Sequence, residues 1–166
     1  VTGFEPAEGF DGTVTVPMYD AKDDMNGKYS AVKVTSFSTN AFKDVKETLE
    51  TLILPSYITE IPDNAFEGFT NLNHVIAYGV TKIGANLFRE SLNLRSVLFG
   101  RNLKEMGNYS FMGCASIDTI TILASEPPTT KDLSLNADSC LLRVFQNSYS
   151  AYAKHAYWSK FSNIST

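Results

Sequence analysis

Apolar residues return along this chain in a fixed order, once every 22 to 24 residues. The clearest copies of the pattern occupy residues 34–42, 58–66 and 80–88, and each ends in phenylalanine. A fourth copy at 103–111 keeps the spacing with looser residues. Repeats of this length bury their apolar face only against neighbouring repeats, so the pattern predicts a solenoid.

Each complete repeat opens with apolar residues at alternate positions. The first reads Leu49-x-x-Leu52-x-Leu54, and many of its equivalents are β-branched. Alternation of this kind predicts a short strand with one face in the core. Strands of successive repeats should stack in parallel, with Leu52 in register with its equivalents. Those equivalents are Val75, Val97 and Ile120.

The rest of the repeat predicts two further walls of the coil. The pair Ile58 and Ile61 predicts a second extended segment, and Phe66 with Phe69 predicts one short helical turn. Candidate caps of that turn in different copies are Thr39, Asp63 and Asn108. An asparagine also recurs two residues before the closing phenylalanine, which indicates a role in the turn and not in binding. These asparagines are Asn40, Asn64 and Asn86.

Both ends of the array need a cap, because the end of a solenoid exposes its core. At the N-terminus, residues 13–16 alternate like an edge strand and residues 20–27 form a polar turn. The acidic residues of that turn suggest a calcium loop, but they lack the ligand pattern of an EF-hand, which favours a solvated turn. The residues concerned are Asp20, Asp23, Asp24 and Asn26.

At the C-terminus, Pro127-Pro128 interrupts the repeat, residues 129–139 look like a loop and 142–144 predict a last strand. Asn147 and Ser148 are placed to cap a final helix. That helix carries Tyr149, Tyr152, Ala156 and Trp158. We therefore divide the chain into an N-terminal cap with a degenerate first repeat (1–33), the repeats (34–126) and a C-terminal cap (127–166).

In these residues the chain resembles the BspA-like, Treponema-type leucine-rich repeat family of bacterial surface proteins. Residues 49–69 match the family pattern nearly throughout, including Pro55, although only Cys114 matches the family's cysteine. The tail is similar as well, at Pro127-Pro128, Ser148, Tyr152, Trp158, Phe161 and Ile164. The resemblance implies an α/β solenoid, a right-handed coil with parallel strands, short helical turns and terminal caps. It also implies a secreted or surface-tethered bacterial protein that acts in adhesion or recognition.

If the leading strands are pleated, the residues between core positions face the open side of the coil. Ile53, Ile76 and Leu98 then form an apolar column with Tyr78 alongside, and exposed apolar patches often mark interaction sites. The alternatives are that residues 1–30 cover this patch, or that it merely forms a good β-surface. The candidate partner-binding residues are Ile53, His74, Ile76, Tyr78, Ser96 and Leu98.

Composition narrows the class of partner. The net charge is −4 and the sequence pI about 5.1, with no basic run, so nucleic acid is not expected. No apolar stretch approaches the roughly 20 residues that span a bilayer. The chain opens with Val1 and without an export signal, which is no argument for the cytoplasm. A lipid anchor elsewhere stays compatible with the sequence.

Little in the chain predicts catalysis, a cofactor or a metal. His74 and His155 are its only histidines, and neither has cysteines or carboxylates at ligand spacing. No nucleophile elbow or phosphate-binding glycine loop is present. Cys114 and Cys140 either fill core positions as free thiols or form a disulfide, and the sequence leaves both open.

The first hypothesis is therefore a non-enzymatic extracellular recognition or adhesion module that binds a macromolecule, most plausibly a protein, through its open sheet. A second is a structural spacer or self-assembly module of a larger surface protein. A third is carbohydrate binding by exposed aromatic residues such as Tyr78 and Phe145.

Overall fold

The computed structural model describes residues 12–15, 19–23, 29–33 and 36–166. Short strands dominate it. They are β1 (Thr13–Thr15), β2 (Tyr19–Asp23), β3 (Tyr29–Lys33), β4 (Thr51–Leu54), β5 (Glu60–Ile61), β6 (His74–Ala77), β7 (Lys82–Ile83), β8 (Ser96–Phe99), β9 (Glu105–Met106), β10 (Thr119–Ile122), β11 (Leu141–Val144) and β12 (Asn163–Ser165).

The leading strands form one wall of the solenoid, a parallel sheet of seven strands in the order β1-β4-β6-β8-β10-β11-β12. The second segments form a separate parallel sheet, β5-β7-β9. Each coil thus contributes one strand to each wall, as the apolar spacing predicts. The solenoid fold class is confirmed.

The predicted strand register is confirmed as well. Val75 lies opposite Leu52, Val97 opposite Val75, and Ile120 opposite Val97. These side chains are at most 1% exposed, so the inward positions of successive strands form one continuous core. The column continues one strand further, to Leu142.

Stacked phenylalanines line the third wall. Ring centroids are 5.4 Å apart between Phe42 and Phe66, 6.0 Å between Phe66 and Phe88, and 5.6 Å between Phe88 and Phe111. These four rings are at most 1% exposed. The closing phenylalanine of each repeat is therefore a core residue that packs on its own equivalents, and this is what holds the repeat length constant.

The backbone of this third wall bonds between coils. The N–H groups of Asn64, Phe66 and Gly68 donate to carbonyls of the next coil, at Ala85, Leu87 and Arg89. The same alternation joins the next pair of coils. Only the first copy contains a short 3-10 helix, Lys43–Val45, and later copies keep a single hydrogen-bonded turn each. The helical turn is thus mostly replaced by bonds across coils.

Two of the predicted caps are wrong for the same reason. The Asp63 carboxylate accepts the backbone N–H of Ala85 in the next coil, at 2.7 Å, and does not cap its own turn. Thr39 donates through its hydroxyl to the Asp63 carbonyl at 3.3 Å. Asn108 takes part through its backbone, since its carbonyl accepts the Asn86 N–H.

The recurring asparagines do serve the turn. Asn64 and Asn86 have φ angles of 57° and 53°, in the left-handed region where asparagine is tolerated better than most residues. In the fourth copy this conformation falls on Tyr109, with φ 59°. The turn geometry is therefore kept even where the favourable residue is lost.

The N-terminal prediction is partly confirmed. Residues 13–15 form β1 and pair in parallel with β4, whereas Val16, Val34 and Thr35 lie outside the described residues. The polar turn is wrong at residues 20–23, because they belong to β2, which pairs antiparallel with β3. The interpretation from charge overlooked the β-formers of these segments. Asp20 and Asp23 are strand residues, and Asp24 and Asn26 are not described.

The coil continues through residues 127–140. Thr129 and Leu133 accept backbone N–H groups from Met106 and Phe111, as the earlier coils do for one another, and Leu133 is fully buried. From the start of β10 to the start of β11 is 22 residues, a normal repeat. The segment after the proline pair therefore follows the path of a repeat whose sequence has diverged. The three domain boundaries stay a prediction.

The C-terminal cap differs from its prediction in detail. The helix, α1 (Tyr149–Lys154), stops before Trp158, which starts a separate 3-10 turn. The side chain of Ser148 donates to the Phe145 carbonyl and does not cap the helix. A last strand that the sequence did not suggest, β12, pairs in parallel with β11.

The cap is anchored by polar atoms on buried aromatics. Trp158 Nε1 donates to the Pro128 carbonyl at 2.8 Å, and the Tyr152 hydroxyl donates to the Ala124 carbonyl at 3.1 Å. The Tyr157 hydroxyl accepts the backbone N–H of Leu133 at 3.0 Å, where the carbonyl of a following coil would otherwise stand. Side chains of the cap thus substitute for one more repeat.

Candidate interaction surface

The outward side chains of the large sheet form the columns that strand alternation predicts. Ile53 lies opposite Ile76, Ile76 opposite Leu98, and the same column continues to Thr121 and Arg143. The three apolar members are half-buried, because each is flanked by its neighbours in the sheet. We call this outward side of the seven-stranded sheet the open face.

One edge of the open face carries a side-chain hydrogen bond. His74 Nδ1 and Ser96 Oγ are 2.8 Å apart, on β6 and β8. His74 is exposed and Ser96 is half-buried. Two of the residues singled out from the sequence are therefore fixed relative to each other, on the side where the strands begin.

The other edge carries exposed aromatics, where the strands end. Tyr78 is 50% exposed and Phe145 is 45% exposed. Gly100 lies in the same column, and a Cβ on it would come within 1.8 Å of the Tyr78 carbonyl oxygen. Only glycine allows this close approach of two coils, so the glycine is required by the stacking of the coils.

Arg101 joins this edge and was missed from the sequence. Its guanidinium carbon lies 5.8 Å from the centroid of the Phe145 ring, within the range of a cation–π interaction. Arg101 follows Gly100, which lies in the same column as Phe145, and this position is the signal that could have found it. We call Tyr78, Arg101, Arg143 and Phe145 the cationic margin.

The arginines of the cationic margin have no ion-pair partner among the residues that the structure describes. The ion pairs found there join Lys82 to Glu105 at 3.1 Å, and Arg89 to Glu67 at 3.7 Å. Neither involves the open face. Glu105 raises the pKa of Lys82 through their hydrogen bond.

The largest groove lies on a different wall, along the second sheet. It has a volume of about 390 Å³, and Lys82, Glu105 and Lys131 line it with the glycines Gly84 and Gly107. Its lining is polar and charged, without an aromatic ring. Coil stacking explains the glycines, because a Cβ on either would clash with the backbone of the preceding coil.

Two searches of the described chain concern metals and membranes. No three histidine, cysteine, aspartate or glutamate side chains gather as metal ligands would in residues 12–15, 19–23, 29–33 and 36–166. Within the same residues, no helix has the length and apolar character needed to cross a bilayer. Cys114 and Cys140 are free thiols, both buried.

Stacked parallel strands, a ladder of buried phenylalanines and the open face define a leucine-rich repeat solenoid. A family model described as "BspA type Leucine rich repeat region (6 copies)" matches residues 32–140. The chain belongs to this family. Its match extends past the proline pair, in agreement with the coil that the structure shows there.

A solved structure shares the fold. The crystal structure of a leucine-rich repeat protein from Bacteroides ovatus superposes with a TM-score of 0.56 at 22% sequence identity. The match covers 93% of this chain and 33% of that one, so the present chain spans about a third of its length. Comparison with curated proteins gives no match.

Proposed function

We propose that this chain is a non-enzymatic recognition module that binds a protein partner through the open face. The observation that carries the proposal is the Ile53–Ile76–Leu98 column with the half-exposed Tyr78 beside it. Apolar side chains at the centre of a surface, with an aromatic close by, are what protein-binding hot spots usually contain. His74 and Ser96 would supply polar contacts at the edge.

The shape of this surface favours a macromolecule over a metabolite. Small-molecule sites are concave and enclose most of their ligand. The open face is instead an extended sheet, and a sheet built from repeats offers a continuous surface to a large partner. Membership in the BspA-type family supports a place on the bacterial cell surface or outside the cell, where adhesion would be the natural task.

The test is a pull-down from surface extracts of bacteria and host cells, with Ile76→Asp beside the wild type. A charge in the middle of the column should remove the partner while leaving stability nearly intact, because Ile76 is not a core residue. Leu92→Asp is the matched control. Leu92 is 44% exposed and lies in a turn away from the open face, so this variant should keep the partner.

Two outcomes would contradict the proposal. If Ile76→Asp retains every partner of the wild type, binding occurs elsewhere on the molecule. If the same substitution unfolds the chain, Ile76 is structural and the column is not a free surface. Loss of the partner in both variants would also count against the open face, since Leu92 does not lie on it.

Self-assembly through the same face is the second candidate, and it is favoured by the same apolar column. Sedimentation of the wild type and Ile76→Asp separates the two functions, because only self-assembly predicts a change of oligomeric state. Carbohydrate binding has weaker support. Sugars stack on open aromatic faces, whereas the Arg101 guanidinium already covers one face of Phe145.

A further inference from the structure

We infer that the cationic margin binds an acidic, extended peptide segment of the protein partner. The inference rests on the proposed function and adds the chemistry of the partner. Its starting point is the uneven distribution of charge. The chain carries −4 overall, yet Arg143 is the only fully charged side chain among the outward positions of the described strands β4, β6, β8, β10 and β11.

The positions that follow the strands repeat this bias. At the edge where the strands end, the residues after the outer column are Ser56, Gly79, Arg101, Ala124 and Gln146. Arg101 alone among them is charged. The opposite edge is mixed in sign, with Glu50, Arg95 and Asp118. Positive potential is thus concentrated where Tyr78 and Phe145 are most exposed, and complementary charge is what steers and orients a partner.

Arg101 is held ready for a carboxylate. Its guanidinium packs over the Phe145 ring, which limits the conformations of a long side chain before any partner arrives. A guanidinium that stacks through its face still has its N–H groups free at the edge, in the geometry that grips a carboxylate. Neither Arg101 nor Arg143 spends these donors on an ion pair with another described residue.

The spacing suits an extended peptide. Arg143 and Phe145 are two residues apart on an extended segment, which places them about 7 Å from each other along the strand. Because Arg101 sits over Phe145, the two positive groups are separated by a similar distance. Alternate side chains of an extended peptide also repeat every 7 Å or so, and the intervening apolar side chains would meet Tyr78 and Phe145.

The inference is tested by fluorescence anisotropy with three fluorescein-labelled octapeptides. In the first, glutamate alternates with tyrosine or leucine. In the second, glutamine replaces glutamate, and in the third, lysine does. We expect the acidic peptide to bind about tenfold more tightly than the glutamine peptide, and the lysine peptide not to bind. Raising the salt concentration should weaken the binding of the acidic peptide.

Variants place the binding on the structure. Arg101→Gln and Arg143→Gln should each weaken acidic-peptide binding about threefold, and about tenfold together. Arg95→Gln is the control, because Arg95 is an exposed arginine at the opposite edge and its removal should change nothing. Equal affinity for the acidic and glutamine peptides, or no binding up to about 1 mM, would overturn the inference. So would an equal loss in Arg95→Gln.

The same variants separate this inference from the proposed function. If Arg101→Gln/Arg143→Gln keeps the partner captured by the wild type while Ile76→Asp loses it, the open face binds a protein but not through an acidic segment. If Ile76→Asp keeps the partner, the proposed function itself fails.

Discussion

The buried hydroxyl of Ser91 donates a hydrogen bond of 2.8 Å to the backbone carbonyl of Phe66, one coil earlier. One coil further on, the thiol of Cys114 makes the same contact with the carbonyl of Phe88, at 3.0 Å. The position thus requires a small side chain with a donor, which is why serine and cysteine can exchange there. Phe69 fills it in the preceding coil by apolar packing, close to the ring of Phe66.

Replacing Ser91 by alanine should therefore destabilise the array. The Phe66 carbonyl would lose its side-chain partner inside the core, at a cost of about 1–3 kcal/mol. Ser91→Cys should cost less, because the thiol keeps a donor. Urea denaturation measures both, with the exposed Ser125→Ala as control. Equal stability of Ser91→Ala and the wild type would show that the bond contributes nothing.

The pair Val97 and Leu98 tests strand alternation at neighbouring positions. Val97 is 1% exposed and lies between Val75 and Ile120, so Val97→Asp would bury an unpaired charge. We expect a loss of several kcal/mol and unfolding of much of the array, as seen by circular dichroism. Leu98→Asp, on the open face, should melt near the wild type. A folded Val97→Asp protein with unchanged melting would refute the register.

The C-terminal cap should be essential to folding. Trp158 is fully buried, and Trp158→Ala removes both its packing and its bond to Pro128, at a cost of about 3–5 kcal/mol. The control, Tyr149→Ala, alters an exposed aromatic of α1 and should be nearly neutral. Deletion of residues 146–166 should cause aggregation. A truncated chain that stays monomeric and melts normally would make the tail an appendage.

Two buried thiols should make stability fall at alkaline pH. Burial raises the pKa of Cys114 to about 12 and that of Cys140 to about 11, from an ordinary value of 9.0. The folded chain therefore holds both thiols protonated. Their contribution is complete below pH 9.0 and is lost as the pH rises towards these higher values, since only the unfolded chain ionises readily.

Urea denaturation under reducing conditions should measure this loss, at about 1 kcal/mol per thiol between roughly pH 9 and 10. The double variant Cys114→Ser/Cys140→Ala should be less stable at neutral pH but should lack this part of the slope. Tyr152 and Tyr157, whose pKa values are also raised by burial, are common to both proteins and cancel in the difference. Identical slopes would mean that the thiols are accessible to solvent when folded.

The predictions from sequence succeeded wherever a core position recurs in every coil. The column from Leu52 to Ile120 and the stack of phenylalanines are set by burial, and burial leaves a periodic trace in the sequence. The outward order of Ile53, Ile76 and Leu98 followed directly, because side chains alternate along a strand. Their role in binding stays a prediction.

Other features could not be predicted, because they depend on contacts between coils that leave no pattern in one copy. Asp63 was read as a cap of its own turn, but its partner is the backbone of a coil that starts later. The coil through Leu133 keeps the path of a repeat with few of its residues, since backbone bonds to Phe111 hold it in place. Arg101 gained meaning only through its distance to Phe145.

The bonds between coils on the phenylalanine wall also give the molecule an electrical direction. From Asn64 to Phe111, the N–H groups of that wall donate towards the C-terminal end, and the carbonyls point back towards the N-terminal end. Aligned peptide dipoles add up, as they do along an α-helix. This wall is therefore a lengthwise dipole, positive at the end that Tyr157 closes with its hydroxyl oxygen, and every coil added to such an array would extend it.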